Sequence, residues 1–193
     1  MQEVFEWYTE VNNTDEITQG DIFLNLPIIN IENESEILSL DNIEDYEAEI
    51  SVEFYDYIIL TQPCDLARPK EELKNVVLCK IHDLNKLKWG KKKCKEIIEG
   101  KRPQFYMLNE NEKFNYKDRY TTWEGFNHHI VDFNSIQTIS VEALKKYSSN
   151  INKRLRLLPP YREHLSQAFA RSFMRIGLPT DIDKDSIEKY SKK

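Results

Sequence analysis

The run EAEISVEFYDYIIL, residues 47–60, limits the fold more than any other stretch of the chain. Ile50, Val52 and Phe54 alternate with polar residues, the pattern of a strand with one face buried. From Tyr57 the run is continuously apolar, as in a central strand covered on both faces. Such a strand needs partners, so the chain is expected to be built around a sheet.

Candidate partners are easy to find. ITQGDIFLNLPIINIEN reads as a turn at Gly20, a short strand, a break at Pro27 and a second strand. NVVLCKI (75–81) and QFYML (104–108) are further β-rich runs. HHIVDFNSIQTIS gives one or two strands more, ending at Ser140, a good N-cap for a short helix over VEALKKYS. After LLPP the pattern becomes helical. Pro160 suits a first turn, Gly177 suits a stop, and Tyr161, Leu165, Phe169, Ser172 and Ile176 share one face. Strands come first and helices late. The expectation is one α+β domain over 1–193: a curved, mostly antiparallel sheet or SH3-like small barrel. A C-terminal amphipathic helix, 160–177, packs on it, and residues 86–102 form a basic insert, as a loop or short helix.

At 193 residues the chain can bury a substantial core. No stretch reaches the ~18 consecutive apolar residues of a membrane helix, and the acidic start lacks a signal-peptide order. A cytoplasmic location without membrane partners is expected. Three cysteines at unmatched spacings argue against a secreted disulfide scaffold. Only 5 glycines occur, with neither a Walker A pattern nor GxGxxG, so no nucleotide cofactor is implied. Charge is strongly polarised. Residues 1–60 hold 16 of the 33 acids and none of the 27 bases. The chain therefore either folds its acidic third over its basic part, or offers a basic face to polyanions and an acidic face to a protein partner.

Four groups of residues carry candidate chemistry. TQPCDL sets Cys64 and Asp65 just past a strand end. A nucleophilic Cys64 would need a base, and the histidines are His82, His128, His129 and His164. The competing reading is a turn in which the Asp65 carboxylate bonds nearby amides. Cys64, Cys79, His82 and Cys94 are zinc-ligand types, but the outer cysteines lack close partners, and no metal is assigned. KLKWGKKKCK offers Lys88, Trp89, Lys91, Lys92, Lys93 and Lys95 for RNA or DNA through phosphate contact and stacking. On the late helix His164, Arg171 and Arg175 form a stripe, with Arg162 on the opposite edge and KRLR upstream. These arginines fork onto phosphate or pair with the acidic third. Asp21, Asp65 and Asp132 lie near strand ends, without the DxD or ExK spacing of a nuclease core.

QGDIF, YIILTQPCDL and VVLCKI in this order resemble MazF/PemK-type toxins over residues 18–84. The resemblance implies an SH3-like barrel that cleaves RNA as a dimer. The family's catalytic arginine has no counterpart, Asp56 standing in that run, and His82 falls near the family's Ser or Thr. PPYREHLSQAFARSFMRIGLP resembles a segment of uncharacterised bacterial proteins.

The functional expectation is a nucleic-acid-associated component of a bacterial toxin or phage-defence system, binding or cleaving RNA without metal. His82 would be the general base, and Arg162 or Arg171 would stabilise the phosphorane. Two alternatives are an interaction module docking a partner through the acidic third, and a small-nucleotide sensor. Convergence of Cys64, Asp65, His82 and an arginine on one pocket favours the enzyme; an Asp65 contact to Arg162 or Arg171 favours a structural tie.

Overall fold

The computed structural model describes residues 5–39, 47–68, 72–117 and 122–174. Its elements are β1 (Tyr8–Asn12), β2 (Asp21–Ile31), α1 (Glu34–Ile37), β3 (Ile50–Ile59), α2 (Pro63–Leu66), β4 (Asn75–Asp83), α3 (Leu84–Leu87) and α4 (Lys91–Ile98). They continue with β5 (Phe105–Leu108), β6 (Asn111–Lys117), β7 (Thr122–Phe126), β8 (His129–Ser140), α5 (Val141–Asn150), β9 (Lys153–Leu157) and α6 (Tyr161–Phe173). Seven strands form one antiparallel sheet in the order β1-β9-β2-β3-β4-β8-β5, and β6 and β7 form a separate hairpin. The fold is α+β. Among the described residues no ladder joins β1 to β5, so the sheet is open rather than a closed barrel.

The apolar end of β3 is central, as its composition requires. Tyr57, Ile58 and Ile59 are buried, with Ile58 facing one layer and its two neighbours the other. The first layer joins Ile22, Ile58, Cys79 and Val131 to Phe114, Tyr116 and Phe126 of the hairpin and to Leu165 of α6. The second joins Phe23, Ile59, Val76 and Leu78 to Val141 and Leu144 of α5. Each such side chain contributes about 1.5–3 kcal/mol by leaving water. Ser140 starts α5 as its residue type suggests, its hydroxyl accepting from the Ala143 amide at 3.1 Å. Tyr161, Ala168 and Phe169 seat α6 on the first layer. Arg175, Ile176 and Gly177 lie outside the described residues. Among the described residues no helix is long and apolar enough to cross a membrane.

Two departures from the sequence pattern have physical causes. First, β2 does not break at Pro27. It stays one strand, and its irregularity is a bulge between Phe23 and Leu26, with Asn25 at φ 55. β2 pairs with β9 only through Asp21 and Ile22, so Pro27 sits where its missing N–H costs the ladder nothing on that side. Second, KRLRL is a strand inside the sheet. Leu155 and Leu157 fill the first layer, while Arg154 is buried on the opposite face, so the strand carries a charge where a core strand would be apolar. The basic insert, expected as a loop or short helix, contains the end of α3 and the helix α4, whose Ile97 is buried.

Candidate functional site

β3 and β4 pair only from Asp56 opposite Ile81 to Ile59 opposite Leu78. Beyond Asp56 the strands part. β3 remains with β2, while β4 follows β8 through Ile81–Val131, His82–Ile130 and Asp83–His129. Two irregularities drive them apart. One is the β2 bulge at Asn25; the other is the stretch 132–135 of β8, which lies opposite Lys80 alone. Bulges raise local twist and bend a strand away from its neighbour. The left-handed Asn25 is held from both sides. Its amide donates to Asp56 Oδ1 at 2.8 Å, and its carbonyl accepts from the Tyr147 hydroxyl at 3.2 Å.

The fork is a cleft of about 560 Å³. Phe54, Tyr55 and Asp56 line one side and Lys80, His82 and Asp83 the other, with Lys86 of α3 and Trp123 of β7 on the rim. Asp83 is fixed, accepting from the Asn85 amide at 2.8 Å and from Asn127 Nδ2 at 3.2 Å. Lys80 Nζ stands 3.0 Å from the Tyr55 ring centroid. Lys86 Nζ lies 5.7 Å from the Trp123 ring.

Burial dominates the electrostatics here. It lowers the His82 pKa, and the Lys80 cation lowers it further, against the opposing pull of Asp132. His82 is therefore a neutral imidazole near pH 7. Burial raises the Asp56 carboxyl, which keeps its proton to higher pH than usual; the Asn25 amide and the Lys86 and Lys80 cations oppose this, and Asp83 adds to it. Lys80 is lowered by burial, with Glu53, Asp132 and Asp56 opposing. A neutral base, a carboxyl whose pKa is raised and two amines thus share one cleft, an arrangement suited to proton transfer around an anion.

The other predicted residues do not gather there. Cys64 and Asp65 follow the opposite end of the β3–β4 ladder, four residue steps or ~13 Å along β3 from the level of His82. Cys64 is an exposed thiol. Asp65 neither caps the turn nor reaches the late helix: its carboxylate pairs with Arg68 at 3.2 Å, one helical turn on. Arg162 pairs with its neighbour Glu163 at 2.7 Å, and its stem lies against the Gly20 turn. Arg171 and His164 line a different hollow, of about 340 Å³, with Phe105 and Tyr106. Neither arginine stands by His82, because α6 packs across the first layer and not at the fork. Among the described residues no three His, Cys, Asp or Glu side chains are grouped as for a metal ion. Cys79 is buried, its thiol donating to the Asp132 carbonyl at 2.9 Å and pushed up by burial.

In the basic segment Lys88, Lys91, Lys92 and Lys95 are exposed. Trp89 is not an open stacking platform. Lys93 Nζ covers its ring at 3.1 Å and Phe105 meets it edge-on at 5.1 Å. The segment runs on from Lys86 and Leu87 of the cleft lining to α4, which packs on β5. Lys95 also reaches Glu99 at 3.7 Å.

The acidic and basic parts are tied elsewhere, through QGDIF. Asp21 is fully buried and receives Arg154 Nε at 2.7 Å and Arg156 Nε at 2.5 Å. Arg154, itself 1% exposed, also donates to Ser148 and to the carbonyls of Asn12, Asp15 and Glu16. All five guanidinium donors are thereby used, which is what permits such a charge to be buried.

No protein-family model and no curated protein matches the chain in sequence comparison. Of the cleft residues, His82 was the one singled out by sequence. Lys80, Asp56, Lys86 and Trp123 were missed. The available signal was CKIHD: two polar side chains alternating with buried Cys79 and Ile81 late in an apolar strand, where a plain core strand would have none.

Proposed function

We propose that the chain binds single-stranded RNA at the fork between β3 and β4 and cleaves it without metal, as part of a bacterial toxin or phage-defence system. The observation that carries this reading is the neutral His82 set beside Lys80, with Asp56 across the same cleft. His82 takes the proton of a ribose 2′-hydroxyl, and the 2′-oxygen attacks the adjacent phosphorus. The leaving 5′-oxygen takes a proton from Asp56, giving a 2′,3′-cyclic phosphate and a 5′-hydroxyl. Lys80 and Lys86 replace the expected arginines as the cations facing the developing charge. Trp123 offers a rim on which a base stacks, and Lys88, Lys91, Lys92 and Lys95 follow the phosphate backbone outward. The QGDIF…VVLCKI resemblance to MazF/PemK-type toxins points the same way, although the sheet here is open.

The test is cleavage of labelled single-stranded RNA in EDTA, with the product ends identified. Wild type should yield cyclic-phosphate ends, and His82→Ala should be slower by about 10²–10⁴-fold while still binding RNA. Undiminished cleavage by the variant, or wild type that neither binds nor cleaves RNA at low salt, overturns the reading.

A further inference from the structure

The β2–β3 ribbon runs past the fork with one face uncovered. In its register Ile29 lies opposite Val52 and Ile31 opposite Ile50, so the four side chains project from the same side. They are 67%, 51%, 49% and 65% exposed, respectively. Together they leave on the order of 400 Å² of apolar surface open, the scale of patch that marks a binding site on a folded protein. The edge of β3 is open too. From 50 to 53 it pairs with β2 on one side and, among the described residues, with no strand on the other. An open strand edge beside an apolar face is the template that extended peptides use, backbone pairing giving affinity and alternate side chains giving fit.

Charge selects the occupant. The ribbon and its flanks carry Glu32, Glu34, Glu47, Glu49 and Glu53, and residues 1–60 contain no Lys or Arg. The face opposite the apolar one is held by Asn30 donating to Glu53 and Ser51 donating to Glu32. A second copy of the chain would bring an equally acidic ribbon against this one, and the open area falls short of the ~800 Å² per partner of a stable dimer. Nucleic acid and anionic membranes are repelled for the same reason.

We propose that the exposed face and free edge of the β2–β3 ribbon bind an extended segment of another protein, with apolar residues alternating with Lys or Arg. The bound strand lies along β3 from Ile50 toward Glu53, its apolar side chains over Ile29 and Val52 and its cations among the glutamates.

The experiment uses the full chain and three labelled nine-residue peptides in fluorescence anisotropy: KVKIKVKIK, EVEIEVEIE and KSKSKSKSK. KVKIKVKIK should bind in the micromolar range, and each of the other two at least ~tenfold more weakly. Ile29→Thr with Val52→Thr keeps the β-branched shape that strands favour and should weaken KVKIKVKIK ~tenfold without altering the melting temperature. Glu49→Gln with Glu53→Gln should weaken it and flatten its salt dependence. Equal binding of KVKIKVKIK and KSKSKSKSK, undiminished binding by the threonine variant, or self-association of the chain through this face overturns the proposal.

Discussion

Acid should weaken this fold through one side chain, His129. Its ring is fully buried and stacks on Phe126 at 4.1 Å between centroids and 8° between planes. Trp123 lies 5.5 Å away. Nδ1 meets the Asn127 carbonyl at 2.7 Å, which fixes the proton there, and Nε2 is buried without a partner. Protonating Nε2 would place a cation in an aromatic layer. Burial accordingly lowers the pKa from 6.5 to about 4; the Asn127 carbonyl and Asp83 oppose this, and Lys86 and His82 reinforce it. Between these values the unfolded chain binds the proton and the folded chain does not. His129 therefore favours folding fully above pH 6.5, and the contribution is lost as pH falls toward and through about 4. The whole interval is worth about 3 kcal/mol, and the part between pH 7 and pH 5 about 2 kcal/mol. For a chain of this size that lowers the melting temperature by about 4–8 °C. The assay is urea or thermal denaturation of wild type and His129→Phe at pH 7 and pH 5. The phenyl ring keeps the stacking and removes the titration. The variant starts lower at pH 7, by about 1 kcal/mol for the missing hydrogen bond, but loses about 2 kcal/mol less on acidification. His82, also lowered, is present in both proteins and cancels in the difference. Equal losses in the two proteins would refute the assignment.

Breaking the buried ion pair should be costly. Arg154→Met strips Asp21 of one cation and leaves three carbonyls bare, and should destabilise by about 3–5 kcal/mol in urea titration. Gly20 stands at φ +84, and an added Cβ would meet Leu157 Cβ at 3.0 Å and its carbonyl oxygen at 3.2 Å. Gly20→Ala should therefore cost at least about 2 kcal/mol, read as a lower melting temperature. Lys92→Ala with Lys91→Ala changes two exposed side chains on α4. Stability should move by less than ~0.5 kcal/mol, while RNA affinity falls and its logarithmic salt slope shrinks by about 1–2.

Most of the sheet was legible because its central strands carry short continuous apolar runs. Tyr57–Ile59, Val76–Leu78 and Ile130–Val131 are apolar where the register needs them to be. β9 was not legible, since its buried Arg154 is satisfied only by groups from residues 12–21 and 148, which no local window contains. The hairpin of β6 and β7 was missed for a related reason. NEKFNYK and TWEGF bury only alternate aromatics, and the apolar content of each run is low. At the site, His82 stood out as a titratable side chain in a strand. Its companions did not, because the fork depends on a bulge at a non-glycine residue, Asn25, and on the inserted stretch in β8. Neither leaves a mark in composition. Arg162 and Arg171 were drawn to the site by charge alone, and their helix lies elsewhere.

The charge polarity of the chain now has a structural division. Two of its arginines, Arg154 and Arg156, are used inward, neutralising Asp21 beneath the amino-terminal third. The ribbon glutamates have no such partners in the ion pairs of the described residues, so the ribbon stays acidic outward. Lys80 and Lys86 line the fork, and Lys88, Lys91, Lys92 and Lys95 are exposed beyond it in the sequence. β3 is the border: Val52 belongs to the open apolar face, and Asp56 to the polar cleft two pairs further along the same side of the strand. A polyanion in the cleft and a basic segment on the ribbon would then meet within ~13 Å along one strand. Opposite charges at that spacing attract across a Debye length of ~10 Å at 0.1 M salt. On the two proposals above, KVKIKVKIK should thus bind more tightly when RNA occupies the cleft at low salt, and the gain should vanish by ~0.5 M salt. Competition in place of enhancement would mean that the peptide's lysines enter the cleft itself, and the assignment of its cations to Glu49 and Glu53 would be wrong.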